Sequence, residues 1–136
     1  MTQLKDRIRR ILGYNVIAVV GMSRHPEKPS HYVPRYMREQ GYRVIPVNPS
    51  AGEILGERCY PSLDQAREEM VEVVNVFRPP EEVPEIVAAA VRIGAKAVWM
   101  QEGIANEEAA RYAEEKGLLV VMDRCMMKEH RALVSG

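Results

Sequence analysis

The apolar run Val16-Ile17-Ala18-Val19-Val20 ends in Gly21-Met22-Ser23, and two cations, Arg24 and Lys28, follow within a few residues. A glycine there lets the backbone come close to a ligand. A serine hydroxyl and the amides behind it can donate to phosphate oxygens, and arginine and lysine supply the matching charge. The segment Ser23-Arg24-His25-Pro26-Glu27-Lys28-Pro29-Ser30-His31 is longer and more basic than a minimal connection requires. The chemistry indicated is phosphate binding, although an ordinary turn uses Gly and Ser as well, and local chemistry alone leaves the two readings level. The dinucleotide pattern G-x-G-x-x-G is absent, because Ser23 stands where its second glycine would be. The run ending in Pro46-Val47-Asn48-Pro49 also lacks the acidic residue that holds an NAD ribose.

Other reactive side chains carry less. Cys125 follows Asp123-Arg124, and a cationic neighbour can activate a thiol; the stronger reading is a salt-bridged turn with a half-buried, inert thiol. Cys59 carries less still. His25, His31 and His130 lack the spacing of a metal site and read as surface residues, so no metal is assigned. Asp123, Glu102 and Glu53 are conceivable acid–base groups, but no spacing marks a pair held in one cleft, and no catalytic residue is assigned. Trp99 and Met100 read as core or cleft wall in preference to an adenine-stacking platform, and Met22 is equally open. Tyr32 and Tyr36 share a helix face that either flanks a ligand or makes a dimer contact.

These residues need a frame to position them. Leu4, Ile8, Ile11 and Leu12 recur at helical spacing, which predicts an amphipathic helix over 1–13. Five short apolar runs follow: 16–20, 43–47, 73–77, 95–100 and 118–122. Between them lie helical stretches at 32–40, 84–93 and 106–116, with Gly41, Gly94 and Gly117 as their stops and Asn106 as an N-cap. The irregular stretch 49–61 contains a turn at Leu55-Gly56 and precedes a short helix over 63–70. Such alternation predicts an α/β, Rossmann-like, doubly wound and mainly parallel five-stranded sheet with helices on both faces. In such sheets ligands bind beyond the carboxyl ends of the strands. Those ends are Gly21-Met22-Ser23, Asn48-Pro49-Ser50, Phe77-Arg78-Pro79, Gln101-Glu102-Gly103 and Asp123-Arg124-Cys125.

Composition narrows the class of partner. With 136 residues the chain suits one domain over 1–136, and 19 basic residues balance 19 acidic ones, so nothing advertises nucleic acid. Two isolated cysteines suggest reduced, cytoplasmic thiols, and no run of about 18 apolar residues suggests a membrane span.

Taken in order, Val19-Val20-Gly21-Met22-Ser23, Gly41 to Pro49, Val76-Phe77-Arg78-Pro79, Val98 to Ile104 and Val121 to Cys125 closely resemble the stand-alone CoA-binding domain family. That family is similar to the N-terminal domain of the succinyl-CoA synthetase α subunit. The resemblance runs from Tyr14 to Lys128, with Glu72 a departure where the family often has aspartate. It implies that coenzyme A or an acyl-CoA is the ligand. Gly21 and Ser23 would contact its phosphates, with Met22, Arg24 and Lys28 in the same loop. Asn48 and Pro49 would border adenine and ribose, Phe77, Arg78 and Pro79 would line the cleft, and Gln101, Glu102 and Gly103 would approach the pantetheine arm. The synthetase's phosphorylated histidine lies in a second domain beyond this stretch, so the expectation is binding without ligation. The alternatives are an enzyme, as an NAD(P) oxidoreductase or one half of an acyl-CoA ligase, and an interaction domain that has lost its ligand.

Overall fold

A computed structural model describes residues 2–136. Strand β1 (Val16–Val20) lies between β2 (Arg43–Val47) and β5 (Val73–Val76), and β6 (Ala97–Met100) and β7 (Leu119–Val121) extend the sheet in the order β2-β1-β5-β6-β7. Every pairing in this sheet is parallel. The chain leaves β1 toward one edge and returns on the other side of it, so the order reverses between β1 and β5.

The strands are continuous apolar runs because both faces are covered. Ile17, Val19, Val73, Ala97 and Trp99 point into one core with α1 (Thr2–Leu12), α2 (Pro29–Glu39) and α5 (Met126–Ser135). Ala18, Val74, Val76, Val98 and Met100 point into the other. There the cover is a 3₁₀ segment (Asp64–Glu69), α3 (Val83–Arg92) and α4 (Glu107–Glu115). This is the doubly wound α/β sheet that the alternation of runs implies. No helix among the described residues is long and apolar enough to cross a membrane.

Several boundaries differ from expectation for physical reasons. Helix α2 starts at Pro29, not Tyr32, because proline is pre-set for the first helical position and has no amide to leave unpaired. The phosphate-loop candidate therefore ends at Lys28. Residues 64–69 tighten into a 3₁₀ segment, and β3 (Glu53–Ile54) and β4 (Glu57–Arg58) make a small hairpin. Leu55 and Gly56, both at positive φ, turn it, as a two-residue primed turn demands. Helix α5 is absent from the sequence reading. Cys125 is a poor cap, and the signal was the spacing of Met126, Met127 and His130, all buried.

The 3₁₀ segment ends on Met70 in the left-handed region (φ 60°, ψ 50°) with its side chain 77% exposed. An L-residue there costs about 1–2 kcal/mol that glycine avoids, against roughly 0.5–1 kcal/mol of extra glycine entropy. Met70→Gly is expected to stabilise the fold by about 0.5–1 kcal/mol in urea denaturation; a destabilised variant would mean that the exposed side chain contributes packing.

Two of the three histidines are interior, contrary to the surface reading. His31 and His130 are 6% and 7% exposed. His130 Nδ1 lies 2.8 Å from the Tyr36 hydroxyl, and Tyr42 meets its ring edge-on. Tyr36 thus faces α5, and Tyr32 packs against the same core. Burial lowers the His130 pKa. The unfolded chain then takes up this proton more readily than the folded one. Stability is full above the ordinary histidine value of about 6.5 and declines as pH falls from there through the lower folded value. His130→Gln is expected to flatten that decline in melting curves recorded from pH 7.5 to 5; an unchanged slope would place the titrating group elsewhere.

Candidate functional site

A cleft of about 970 Å³ opens at the ends of β1, β2 and β5, the place where strand order reverses. One wall is the connection from β1 to α2. Gly21 has φ +90°, and its amide donates to the Val47 carbonyl at 3.0 Å. A Cβ on Gly21 would lie 2.8 Å from the Phe77 carbonyl oxygen and 2.7 Å from Arg78 Cδ. Glycine is therefore demanded by the neighbouring chain itself, not only by an approaching ligand.

Beyond it the loop is clasped to the first turn of α2. The Ser23 amide donates to the Ser30 carbonyl at 3.1 Å, the Ser23 carbonyl lies 2.7 Å from His31 Nδ1, and the Ser23 hydroxyl accepts from the His25 amide. Asn48 ties the second strand end to the first. Its Nδ2 donates to the Met22 carbonyl at 2.8 Å, and its Oδ1 accepts the Ser50 amide at 2.7 Å. These clasps hold the loop in shape without a ligand. Met22 is buried, and its backbone serves the clasp.

The opposite wall is a stripe of α3 and the turn before it: Glu82, Glu85, Ile86, Ala89 and Arg92. Apolar Val47, Ala51, Pro61 and Leu63 also line the cleft, interspersed with Ser50, Ser62 and Asp64. Of four lining cations, two are occupied. Arg78 donates from Nε and Nη2 to both Glu82 oxygens at 2.9 and 2.8 Å, and Arg92 donates to Asp64 at 3.1 and 2.8 Å. The bonds from these guanidinium groups hold the Glu82 and Asp64 carboxyls below the usual carboxylate range. Arg24 and Lys28, both exposed, pair with no carboxylate among the described residues. They flank the N-terminus of α2, where Lys28 is the cap residue and no side chain caps the helix. Positive potential therefore gathers on the loop wall, from two free cations and a helix N-terminus. The arrangement suits an elongated ligand with phosphate at the loop and an apolar or aromatic part toward Ala51 and Leu63.

Of the residues marked by the sequence, Gly21, Met22, Ser23, Arg24, Lys28, Asn48, Pro49, Phe77 and Arg78 line this cleft together. Pro79 stands just outside it at the start of the 3₁₀ turn that precedes α3. Gln101, Glu102 and Gly103 form a separate cluster beyond β6. Buried Gln101 accepts the Met126 amide through Oε1 at 3.2 Å, Glu102 pairs with Lys128 at 3.2 Å, and the Gly103 amide donates to Asp123 at 2.6 Å. Asp123, at φ 58°, is thus a clasp between two loops. Trp99 is wholly buried, its Nε1 donating to the Arg124 carbonyl at 2.7 Å, and Met100 is core. Cys125 is buried, and Arg124 pairs with Glu129 in place of Asp123. The sequence reading missed Ser30, Ser62, Asp64, Glu82 and Arg92. For the α3 residues the available signal was the helical spacing of 82, 85, 89 and 92.

Comparison with known proteins gives a consistent set of relatives. A family model described as CoA binding domain matches residues 15–131. The uncharacterized protein YneT of Bacillus subtilis is 40% identical over 127 residues, 93% of each chain. The ADP-forming acetate–CoA ligase II of Archaeoglobus fulgidus is 32% identical over 100 residues, which are 72% of this chain and 15% of the ligase. Among solved structures, a hypothetical protein from Pyrococcus horikoshii superposes with a TM-score of 0.91 at 44% identity, covering 96% of this chain and 92% of that one.

Proposed function

This chain belongs to the CoA-binding domain family, and from that premise we propose that it captures coenzyme A or an acyl-CoA non-covalently in the cleft at the ends of β1, β2 and β5, without chemistry of its own. The observation that carries the reading is the asymmetry of the cleft: Arg24 and Lys28, with no carboxylate partner among the described residues, and a helix N-terminus without a side-chain cap stand on one wall, whereas the cations of the opposite wall, Arg78 and Arg92, are held by Glu82 and Asp64. The phosphates lie along Gly21, Met22 and Ser23, with Arg24 and Lys28 neutralising them. Asn48 and Pro49 border the adenine and ribose, and Phe77, Arg78 and Pro79 form the edge over which the pantetheine arm leaves. The arm then passes toward Gln101, Glu102 and Gly103, whose own hydrogen bonds leave that loop an ordered surface for it. Binding without chemistry is supported by two of the three lining carboxylates: Glu82 and Asp64 are ionised and held by arginines, which suits them poorly to moving protons.

A thermal-shift panel of CoA, acetyl-CoA, NAD, NADP and ATP tests this. Ligand at about a hundred times its dissociation constant stabilises by roughly 2.7 kcal/mol, a shift of several degrees. The expected result is stabilisation by CoA or acetyl-CoA alone; preference for NAD or NADP would overturn it. The ligase relative favours a second reading, in which the domain serves an acyl-CoA ligase completed by another polypeptide. Acyl-CoA formation that requires both polypeptides would distinguish it from capture alone.

A further inference from the structure

Arg78 is the cation whose stem lies directly on the phosphate-loop candidate. Its Cδ would stand 2.7 Å from a Cβ on Gly21, so the stem passes over Gly21 and the guanidinium begins one bond beyond it, in the cleft that Gly21 to Ser23 also line. Yet both Nε and Nη2 are engaged by Glu82, four residues on, and the pair stays half open to the cleft at 46% and 40% side-chain exposure. A phosphate presents the same pair of acceptor oxygens to that fork as a carboxylate does. With both present, Glu82 and the phosphate compete for one guanidinium, and unexchanged Glu82 repels the ligand from the same wall.

Glu82 has a second place to go. It is the residue preceding α3 (Val83–Arg92), in the N-cap position, and its side chain makes no cap bond there. Released from Arg78, its carboxylate remains beside a helix N-terminus, where negative charge is favoured. Arg78 has no comparable second partner among the described residues, since its only carboxylate contact is Glu82.

We propose that Arg78 is an exchangeable phosphate clamp: ligand binding transfers its guanidinium from Glu82 to a diphosphate oxygen pair, and Glu82 sets the affinity by competing for it. This rests on the reading of the cleft as a CoA site and adds a specificity-determining carboxylate to it.

The test is a double-mutant cycle by calorimetry on wild type, Glu82→Gln, Arg78→Gln and the double variant, each confirmed folded by its melting curve. Every protein is titrated with CoA and, separately, with inorganic diphosphate. An exposed ion pair competes weakly, so Glu82→Gln is expected to bind both probes about two- to fivefold more tightly, and the gain is expected to vanish in the Arg78→Gln background. Unchanged or weaker binding by Glu82→Gln would overturn the clamp, and weaker binding would make Glu82 a positioning residue for Arg78. A gain that persists without Arg78 would also overturn it, leaving plain charge repulsion. Diphosphate binding with the predicted cycle but no response to CoA would sink the CoA reading and keep the clamp. No binding of either probe to wild type would sink both.

Discussion

Gly21→Ala is expected to lose about 2–4 kcal/mol of folding stability, a large share of the roughly 5–15 kcal/mol that holds a domain together. Two costs add. An L-residue at φ +90° is strained by about 1–2 kcal/mol, and the new methyl lies 2.8 Å from the Phe77 carbonyl oxygen, a backbone atom fixed by β5 that cannot give way like a flexible side chain. Gly94→Ala is the control. Gly94 also has positive φ (79°), but nothing lies within 4 Å of its Cβ position, so it carries the backbone cost alone. The difference between the two variants in chemical denaturation isolates the collision. Equal losses would mean that the Gly21 turn relaxes and that the close approach of Phe77 does not constrain it. Loss of ligand binding in a Gly21 variant therefore reports folding before it reports contact with phosphate.

Side chains that the fold does not need are the better probes of the site. The Arg24→Glu, Lys28→Glu double variant is expected to bind CoA about a hundredfold more weakly, taking about 1.4 kcal/mol for each charge reversed beside a phosphate. Its melting temperature is expected to be no lower than that of wild type, because both side chains are exposed, neither joins an ion pair among the described residues, and a glutamate at position 28 suits the N-terminus of α2. Wild-type affinity should also fall with added salt, and the variant's much less so. Unchanged affinity in a folded double variant would remove the cationic loop wall from the phosphate site.

The local features of the fold were largely readable from sequence. Short, largely apolar runs located the five strands of the parallel sheet, because strands buried on both faces need no alternation. Gly41, Gly94 and Gly117 all adopt the positive φ expected after a helix, and Asn106 Oδ1 accepts the Ala109 amide as an N-cap should. What escaped depends on distant neighbours. Helix α5 lacks a side-chain cap and is held by burial of Met126 and Met127, so only the spacing of Met126, Met127 and His130 marked it in the sequence. Gly21 was marked for a ligand's approach, whereas Phe77 and Arg78, more than fifty residues away, occupy the space its side chain would take. In the cleft, strand-end rules brought nine marked residues together, since topology alone puts the ends of β1, β2 and β5 on one edge. The same rules could not separate them from Gln101, Glu102 and Gly103, which share that edge but are engaged with α5 and Asp123. Nor could they supply Glu82 and Arg92, whose presence follows from how α3 lies on the sheet.

Whether CoA sits in this cleft is read residue by residue from amide chemical shifts during a CoA titration. Saturable shifts are expected at residues 21–31, 48–51, 61–64 and 77–82, with smaller ones at 101–103 as the pantetheine arm passes. Shifts centred instead on the smaller groove of Arg7, Arg111 and Arg124, on the far side at β7, or no saturable shift at all, would contradict CoA binding in this cleft.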